Sequence, residues 1–194
     1  MKRMVTVDAI LMASGSSERY GRKNKLLEQF RGLAMAEHTL KLACEAGVFG
    51  KVFFIAADPA VAVLAQGYPA RVLRNEHPGR GARESIRLGA EASRADACLF
   101  FACDQPLLDI QTVARILEQA GTGKIVLPVW RGQRGGPVLF PRAFRDELRA
   151  LGEGESGRAV MARHPDQLLE VEASGPGAMA DVDTPGDFHL LGTY

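Results

Sequence analysis

Residues 10–27 read ILMASGSSERYGRKNKLL, and this stretch decides the architecture. An apolar run from Val5 to Leu11 ends in a turn of small residues, Ala13-Ser14-Gly15-Ser16-Ser17. Four cations follow within a single turn and loop: Arg19, Arg22, Lys23 and Lys25. Small residues let backbone N–H groups approach a ligand closely. A nest of such groups beside fixed cations suits a polyphosphate. The end of the first strand of an alternating β/α chain is where open parallel sheets bind nucleotides. Taken alone, the stretch also fits a solvated basic loop after a buried strand. It is not a Walker A loop, because no Gly-Lys-Ser/Thr follows, and Gly15 and Gly21 do not fit the dinucleotide fingerprint. What remains is a loop in which the Arg19 guanidinium and the Lys25 ammonium can neutralise a triphosphate and the leaving pyrophosphate.

Outward from this turn, strands and helices alternate. The spacing predicts a helix over 34–46, with Met35, Leu40, Leu42 and Ala43 inward and Gly47 ending it. A buried strand follows over 51–57, then a helix capped by Asp58 with Pro59 at its first position. Strands are expected over 71–74, 97–103, 124–130, 136–141 and 168–172. Helices are expected over 82–92, 110–120, 142–151 and 156–162. Thr184, Pro185 and Asp187 open a terminal helix. The fold class is therefore α/β, a doubly wound, mostly parallel, Rossmann-like sheet, with residues 1–194 as one domain.

Composition narrows the function. The net charge of +1 argues against a nucleic-acid binder, so any polyanion site is local. No apolar run is long enough to span a membrane, and Asp8 interrupts the N-terminal apolar stretch, so no signal peptide is expected. The three cysteines, Cys44, Cys98 and Cys103, fit a reducing cytoplasm, and neither they nor the four histidines show zinc spacing. A cytoplasmic protein without membrane or nucleic-acid partners is expected.

Three further places carry polar residues that the fold does not require. Asp104-Gln105-Pro106 ends the most apolar strand, and a carboxylate there points into the crevice above the sheet. Mg²⁺ is commonly held by one or two carboxylates plus phosphate oxygens and water; alternatively Asp104 only caps a turn before Pro106, with Asp109 the better candidate for capping the next helix. Asp181 and Asp183 fall on one side of an extended segment; Asp183 serves either as a second metal carboxylate or as a favourable charge at a helix N-terminus. Finally, two Gly/Arg loops, NEHPGRGARESIRLG from Asn75 and GQRGGP from Gly132, bring Ser85, Arg83, Arg87, Arg131 and Arg134 into play.

Together these segments resemble the molybdenum cofactor nucleotidyltransferases, in particular the cytidylyltransferases, from about Val7 to Phe188. The family pattern LAAGxSxRMGxxxKLL corresponds to LMASGSSERYGRKNKLL. Its Asn loop and G-x-x-x-S-[IL]-[RK]-x-G correspond to Asn75 and Gly81 through Gly89. GDQP corresponds to Cys103-Asp104-Gln105-Pro106, PxxxGxRGxPVLF to Pro128 through Phe140, and D-[IV]-DTPxDF to Asp181 through Phe188. The resemblance implies transfer of a nucleoside monophosphate from an NTP to the terminal phosphate of molybdopterin, with release of pyrophosphate. It implies Asp104 and Asp183 as Mg²⁺ ligands, and Arg19, Lys25 and Asp104 as catalytic residues. Met12, Ala13, Ser14, Gly15, Asn75 and Ser85 would join Arg19 and Lys25 in binding the nucleotide. Gln105, Arg134, Gly135 and Gly136 would bind the acceptor. Guanylyl-transferring relatives have glycine at the position of Ser14 and cytidylyl-transferring ones alanine, so CTP is expected over GTP. A molybdenum hydroxylase apoenzyme is an implied partner. Departures stand at Ser14, Tyr20, Cys103, Gly136 and the shortened 154–158 segment. They leave two other readings: a different phosphorylated acceptor such as a sugar phosphate, and a non-catalytic cofactor-binding maturation protein.

Overall fold

The computed structural model describes residues 5–15 and 24–191. Strand β1 (Val7–Ala13) is apolar on both faces and lies inside the main sheet, flanked by parallel strands on either side. A hairpin of β2 (Gln29–Phe30) and β3 (Leu33–Ala34) leads into α1 (Met35–Glu45). Then follow β4 (Val52–Ala56), α2 (Pro59–Val63), β5 (Ala70–Arg74), α3 (Ala82–Ala92), β6 (Ala97–Ala102) and α4 (Ile110–Glu118). The second half carries β7 (Ile125–Trp130), β8 (Gln133–Arg134), β9 (Val138–Pro141), α5 (Arg145–Arg149), α6 (Gly157–Arg163), β10 (Leu168–Glu172) and α7 (Pro185–Leu190).

The main sheet runs β10-β7-β9-β6-β1-β4-β5, with β8 paired to β7. All contacts among β5, β4, β1 and β6 are parallel, as is β10 with β7, whereas β9 runs antiparallel to both neighbours. The sheet is therefore mixed and mostly parallel. The C-terminal ends of β1, β4, β5 and β6 share one edge, which gathers Ser14, Asp58, Asn75 and Asp104 there. Alternation along the strands fills both faces: Ala9, Leu11, Phe54 and Phe101 pack with α1, α2 and α4, and Ile10, Phe53, Ile55 and Phe100 pack with α3, α5 and α6. Fully burying each such side chain contributes roughly 1.5–3 kcal/mol.

The expected helix signals hold. Asp58 accepts from Ala60 N at 2.8 Å and Asp109 from Thr112 N at 2.8 Å, capping α2 and α4. Thr184 and Asp187 form a reciprocal capping box at α7. The two hairpins, at Arg31-Gly32 and Arg131-Gly132, were not anticipated. Each turn has positive φ at both residues, 47° and 85° in the first, 48° and 79° in the second. That is the backbone a two-residue hairpin needs. In both, the arginine lies over the preceding aromatic ring, 5.0 Å from Phe30 and 5.9 Å from Trp130. An aromatic-Arg-Gly tripeptide is the signal that marks them. Among the described residues, no helix is long and apolar enough to cross a membrane.

Helix α3 touches β1 so closely that only glycine fits at the crossing. A Cβ at Gly89 would stand 2.3 Å from Ile10 Cγ2. Ile10 is fully buried and β-branched, so it has no room to yield. Replacing Gly89 by alanine gains about 1 kcal/mol of helix propensity, but overpacking costs about 1–3 kcal/mol, and the overlap here is severe. Gly89→Ala is expected to lower the urea midpoint at unchanged slope; a raised midpoint would contradict the close approach.

Candidate active site

The shared edge of the sheet is organised by one lysine. Asn24 caps a short 3₁₀ turn, Lys25–Leu27, by accepting from Leu26 N at 3.1 Å, and it donates to Asp58 Oδ2 at 2.9 Å. This turn directs Lys25 inward, leaving it 7% exposed. Its Nζ donates to Asp104 Oδ2 at 2.8 Å, to Asp183 Oδ1 at 3.1 Å and to the Val182 carbonyl at 2.6 Å. Val182 N in turn donates to the Asp104 carbonyl at 3.0 Å. Thus residues 79 and 158 positions beyond Lys25 meet on a single ammonium. Burial pulls the lysine pKa down, but the Asp104 and Asp183 carboxylates outweigh it and hold the pKa above the ordinary value. Lys25 therefore stays charged at neutral pH.

Asp181 lies on the same side. Burial, followed by the charges of Asp104 and Asp183, raises its carboxyl pKa. It accepts from Gln105 Nε2 at 2.7 Å. Three carboxylates thus gather near one ammonium. Asp104 Oδ1 is buried and has no hydrogen-bond partner among the described residues. A carboxylate oxygen left this way suits a cation. No three His, Cys, Asp or Glu side chains converge into a closed metal cage among the described residues. The donor set therefore fits a hard cation held by two carboxylates and completed by substrate oxygens and water.

Beside this cluster lies a cavity of about 480 Å³. Its floor is Met12, Phe100, Ala102 and Leu127; its walls come from α3, β9, α6 and the Met179–Asp181 segment. Gln105, Arg134, Gly135 and Gly136, the residues expected at the acceptor, all line it. Met12, expected at the nucleotide, lines it as well. Ser156, Arg158, Met161, Met179 and Asp181 were not singled out for this wall; the cue in the sequence was only the 154–158 departure and the Asp181–Asp183 pair. Gly135 is closely covered, since a Cβ there would meet Met179 Cε at 3.0 Å.

The remaining candidates fall as follows. Ala13 is buried at the end of β1, and Ser14 Oγ donates to the Ile55 carbonyl at 3.0 Å, tying the turn to β4. A Cβ at Gly15 would meet nothing within 4 Å among the described residues. Arg19 lies outside the described residues, as do Arg22 and Lys23. Asn75 and Ser85 do meet, at 3.5 Å, but both are buried, and Asn75 Oδ1 accepts from His77 N at 2.9 Å. Both residues are therefore hydrogen-bonded to each other or to the backbone beside the sheet edge. Of the expected loop cations, Arg134 pairs with Glu170 at 2.6 Å, Arg131 covers Trp130, and Arg87 pairs with Glu84 at 2.5 Å and Glu91 at 2.7 Å. Cys103 packs in the buried layer under α1 and α4, and burial raises its thiol well above the usual range, so it is a neutral core side chain.

The comparisons with known proteins agree with this geometry. The model of the MobA-like NTP transferase domain matches residues 9–168, and the chain belongs to that family. It is 30% identical to the molybdenum cofactor guanylyltransferase of Shewanella sp. (strain MR-4), over 92% of this chain and 91% of that one. It is 28% identical to the phosphoenolpyruvate guanylyltransferase of Geodermatophilus obscurus, over 80% of this chain and 69% of that one. Among solved structures it is similar to the Rv0371C protein of Mycobacterium tuberculosis H37Rv in complex with manganese. The TM-score is 0.74 and the identity 25%, over 96% of this chain and 97% of that one. The chain is thus a nucleotidyltransferase enzyme by family.

Two predictions follow from the pairing pattern. Lys25→Met leaves Asp104 and Asp183 facing each other without their ammonium. Breaking a buried pair costs about 3–5 kcal/mol; Asp183 is half exposed, which reduces this to about 1–3 kcal/mol. Hydrogen exchange at the Val182 amide should accelerate correspondingly, and unchanged protection would contradict the clasp. Glu84 is held below the usual carboxylate range, first by its hydrogen bond to Arg87 and against the opposing effect of burial. Its contribution is therefore present above the ordinary glutamate pKa and lost as pH falls through the depressed value. The wild-type advantage over Glu84→Gln in urea should be largest near pH 7 and vanish in acid; a pH-independent difference would contradict this.

Proposed function

We propose that the chain is a Mg²⁺-dependent enzyme that transfers CMP from CTP to the terminal phosphate of molybdopterin, with residues 1–194 acting as one cytoplasmic nucleotidyltransferase domain. The observation that carries this reading is the meeting of Asp104 and Asp183 on Lys25 beside the cavity. Asp104 and Asp183 would hold the metal, whose chemistry is to offset the triphosphate charge and help to orient an in-line displacement. The unpartnered Asp104 Oδ1 supports that assignment. A manganese complex of a protein with the same fold is consistent with it.

In this reading an oxygen of the acceptor phosphate forms a bond to the α-phosphorus of the NTP. The bond from that phosphorus to the α–β bridging oxygen breaks, and pyrophosphate leaves. The attacking oxygen is already anionic, so no general base is needed. Lys25 would exchange one of its carboxylate or carbonyl contacts for a phosphate oxygen, and Arg19 would take a second. Ala13 through Gly15 hold the base and ribose. Ser14 presents a Cβ, as the alanine of cytidylyl-transferring relatives does, while its hydroxyl is engaged by Ile55. That favours CTP. A molybdenum hydroxylase apoenzyme would receive the product.

A second reading keeps the reaction and changes the partners. The relatives reported above carry guanylyl names, and one of them names phosphoenolpyruvate as its acceptor. GTP and a different phosphorylated acceptor are therefore the alternative. The deciding experiment is the mass of the product formed by purified protein with Mg²⁺, each of CTP, GTP and ATP, and either molybdopterin or phosphoenolpyruvate. The proposal expects a molybdopterin–CMP adduct and pyrophosphate, with Asp104→Asn and Asp183→Asn each lowering turnover by roughly 10²-fold or more. A guanylyl adduct would replace the base assignment, and an adduct with phosphoenolpyruvate alone would replace the acceptor. Undiminished turnover in either variant would overturn the metal assignment.

A further inference from the structure

We propose that Gln105 recognises a hydrogen-bond donor on the acceptor, and that Asp181 is the positioning residue that fixes which atom of its amide is offered. The proposal rests on the acceptor reading above. Gln105 is 3% exposed and lines the cavity. Its Nε2 donates to Asp181 Oδ1 at 2.7 Å. A carboxylate only accepts, so the amide nitrogen must face Asp181 and the amide oxygen is turned away from it. That oxygen, Oε1, is buried and has no partner among the described residues. Gly136, on the same wall, faces the amide without crowding it: a Cβ there would stand 3.6 Å from Oε1, at ordinary van der Waals contact. Buried amide oxygens are rarely left without a donor.

The missing partner is a ligand N–H or O–H. A phosphate, carboxylate or carbonyl brought to the same point would set two acceptors against each other. The cavity should thus distinguish phosphorylated acceptors by whether they carry a neutral donor group on the body of the molecule. Asp181 contributes no contact of its own in this scheme; it acts through Gln105. A purely electrostatic role for Asp181 at the neighbouring carboxylates would be independent of Gln105, and this difference is measurable.

The test is a double-mutant cycle on the full chain with molybdopterin as acceptor. The KM for acceptor and the Kd for CTP are measured for wild type, Gln105→Met, Asp181→Asn and the double variant. Gln105→Met and Asp181→Asn should each raise acceptor KM about tenfold or more, with the Kd for CTP moved less than twofold. The double variant should be no worse than Gln105→Met alone. Should Gln105→Met not fold, Gln105→Glu keeps the size, loses the N–H to Asp181 and is expected to raise acceptor KM likewise. An unchanged KM, or multiplicative effects in the double variant, overturns the proposal. A readout without acceptor is the Gln105 side-chain amide signal in ¹⁵N-correlated spectra. It should be protected in wild type and shifted in Asp181→Asn; an unshifted signal overturns the positioning role. Failure of the wild type to use molybdopterin would instead sink the acceptor reading, leaving the amide signal to decide the positioning claim.

Discussion

The structure depends on the ammonium of Lys25. It joins the turn after β1, the end of β6 and the C-terminal segment through charge. The sheet brings Asp104 to its C-terminal edge, but nothing in the sheet brings Asp183 there. That requires Val182 to pair with Asp104 through the backbone and its side chain to pack with Phe30, Met35 and Leu191. The small apolar cluster holds the segment, and Lys25 balances the charge that the segment delivers. Two carboxylates brought together without a cation would repel, more so on the less exposed Asp104 side than at half-exposed Asp183. The same charge arrangement that stabilises the fold is the one the proposed function assigns to a metal-bound polyphosphate.

The cavity is the complement of that arrangement. Its floor is apolar where the central strands end, and Gln105 and Asp181 bring polar atoms to it next to the carboxylate cluster, with Gln133, Arg134, Ser156 and Arg158 on the other walls. In the proposed reading, a phosphorylated ligand would lay its body against the floor and turn its phosphate toward a metal held at Asp104. Orientation of this kind is much of what phosphoryl-type transfer asks of a protein, because positioning and charge stabilisation supply most of the catalysis.

The sequence made much of this legible for identifiable reasons. The strands read as short apolar runs closed by Gly, Pro or Asp, and Asp58, Asp109 and Thr184 announced their helices because a side-chain cap is a local interaction. Asp104 was visible as a carboxylate interrupting the end of an apolar strand. The meeting of Asp104 and Asp183 was not readable from spacing, since it depends on long-range docking; it followed only from the family resemblance. The partners of the arginines were not legible, for the same reason. Glu84, Glu91, Trp130 and Glu170 meet Arg87, Arg131 and Arg134 only in the folded chain. The burial of Asn75 and Ser85 was likewise not legible, because packing rather than motif decides it.

The central claim is that Asp104 and Asp183 form one metal-and-phosphate site around Lys25. Anomalous scattering from Mn²⁺ in crystals grown with CTP tests it most directly. The account predicts a peak coordinated by both carboxylates, with the Lys25 ammonium moved onto a phosphate oxygen. A peak bound elsewhere, with Lys25 still bridging Asp104 and Asp183, would contradict it.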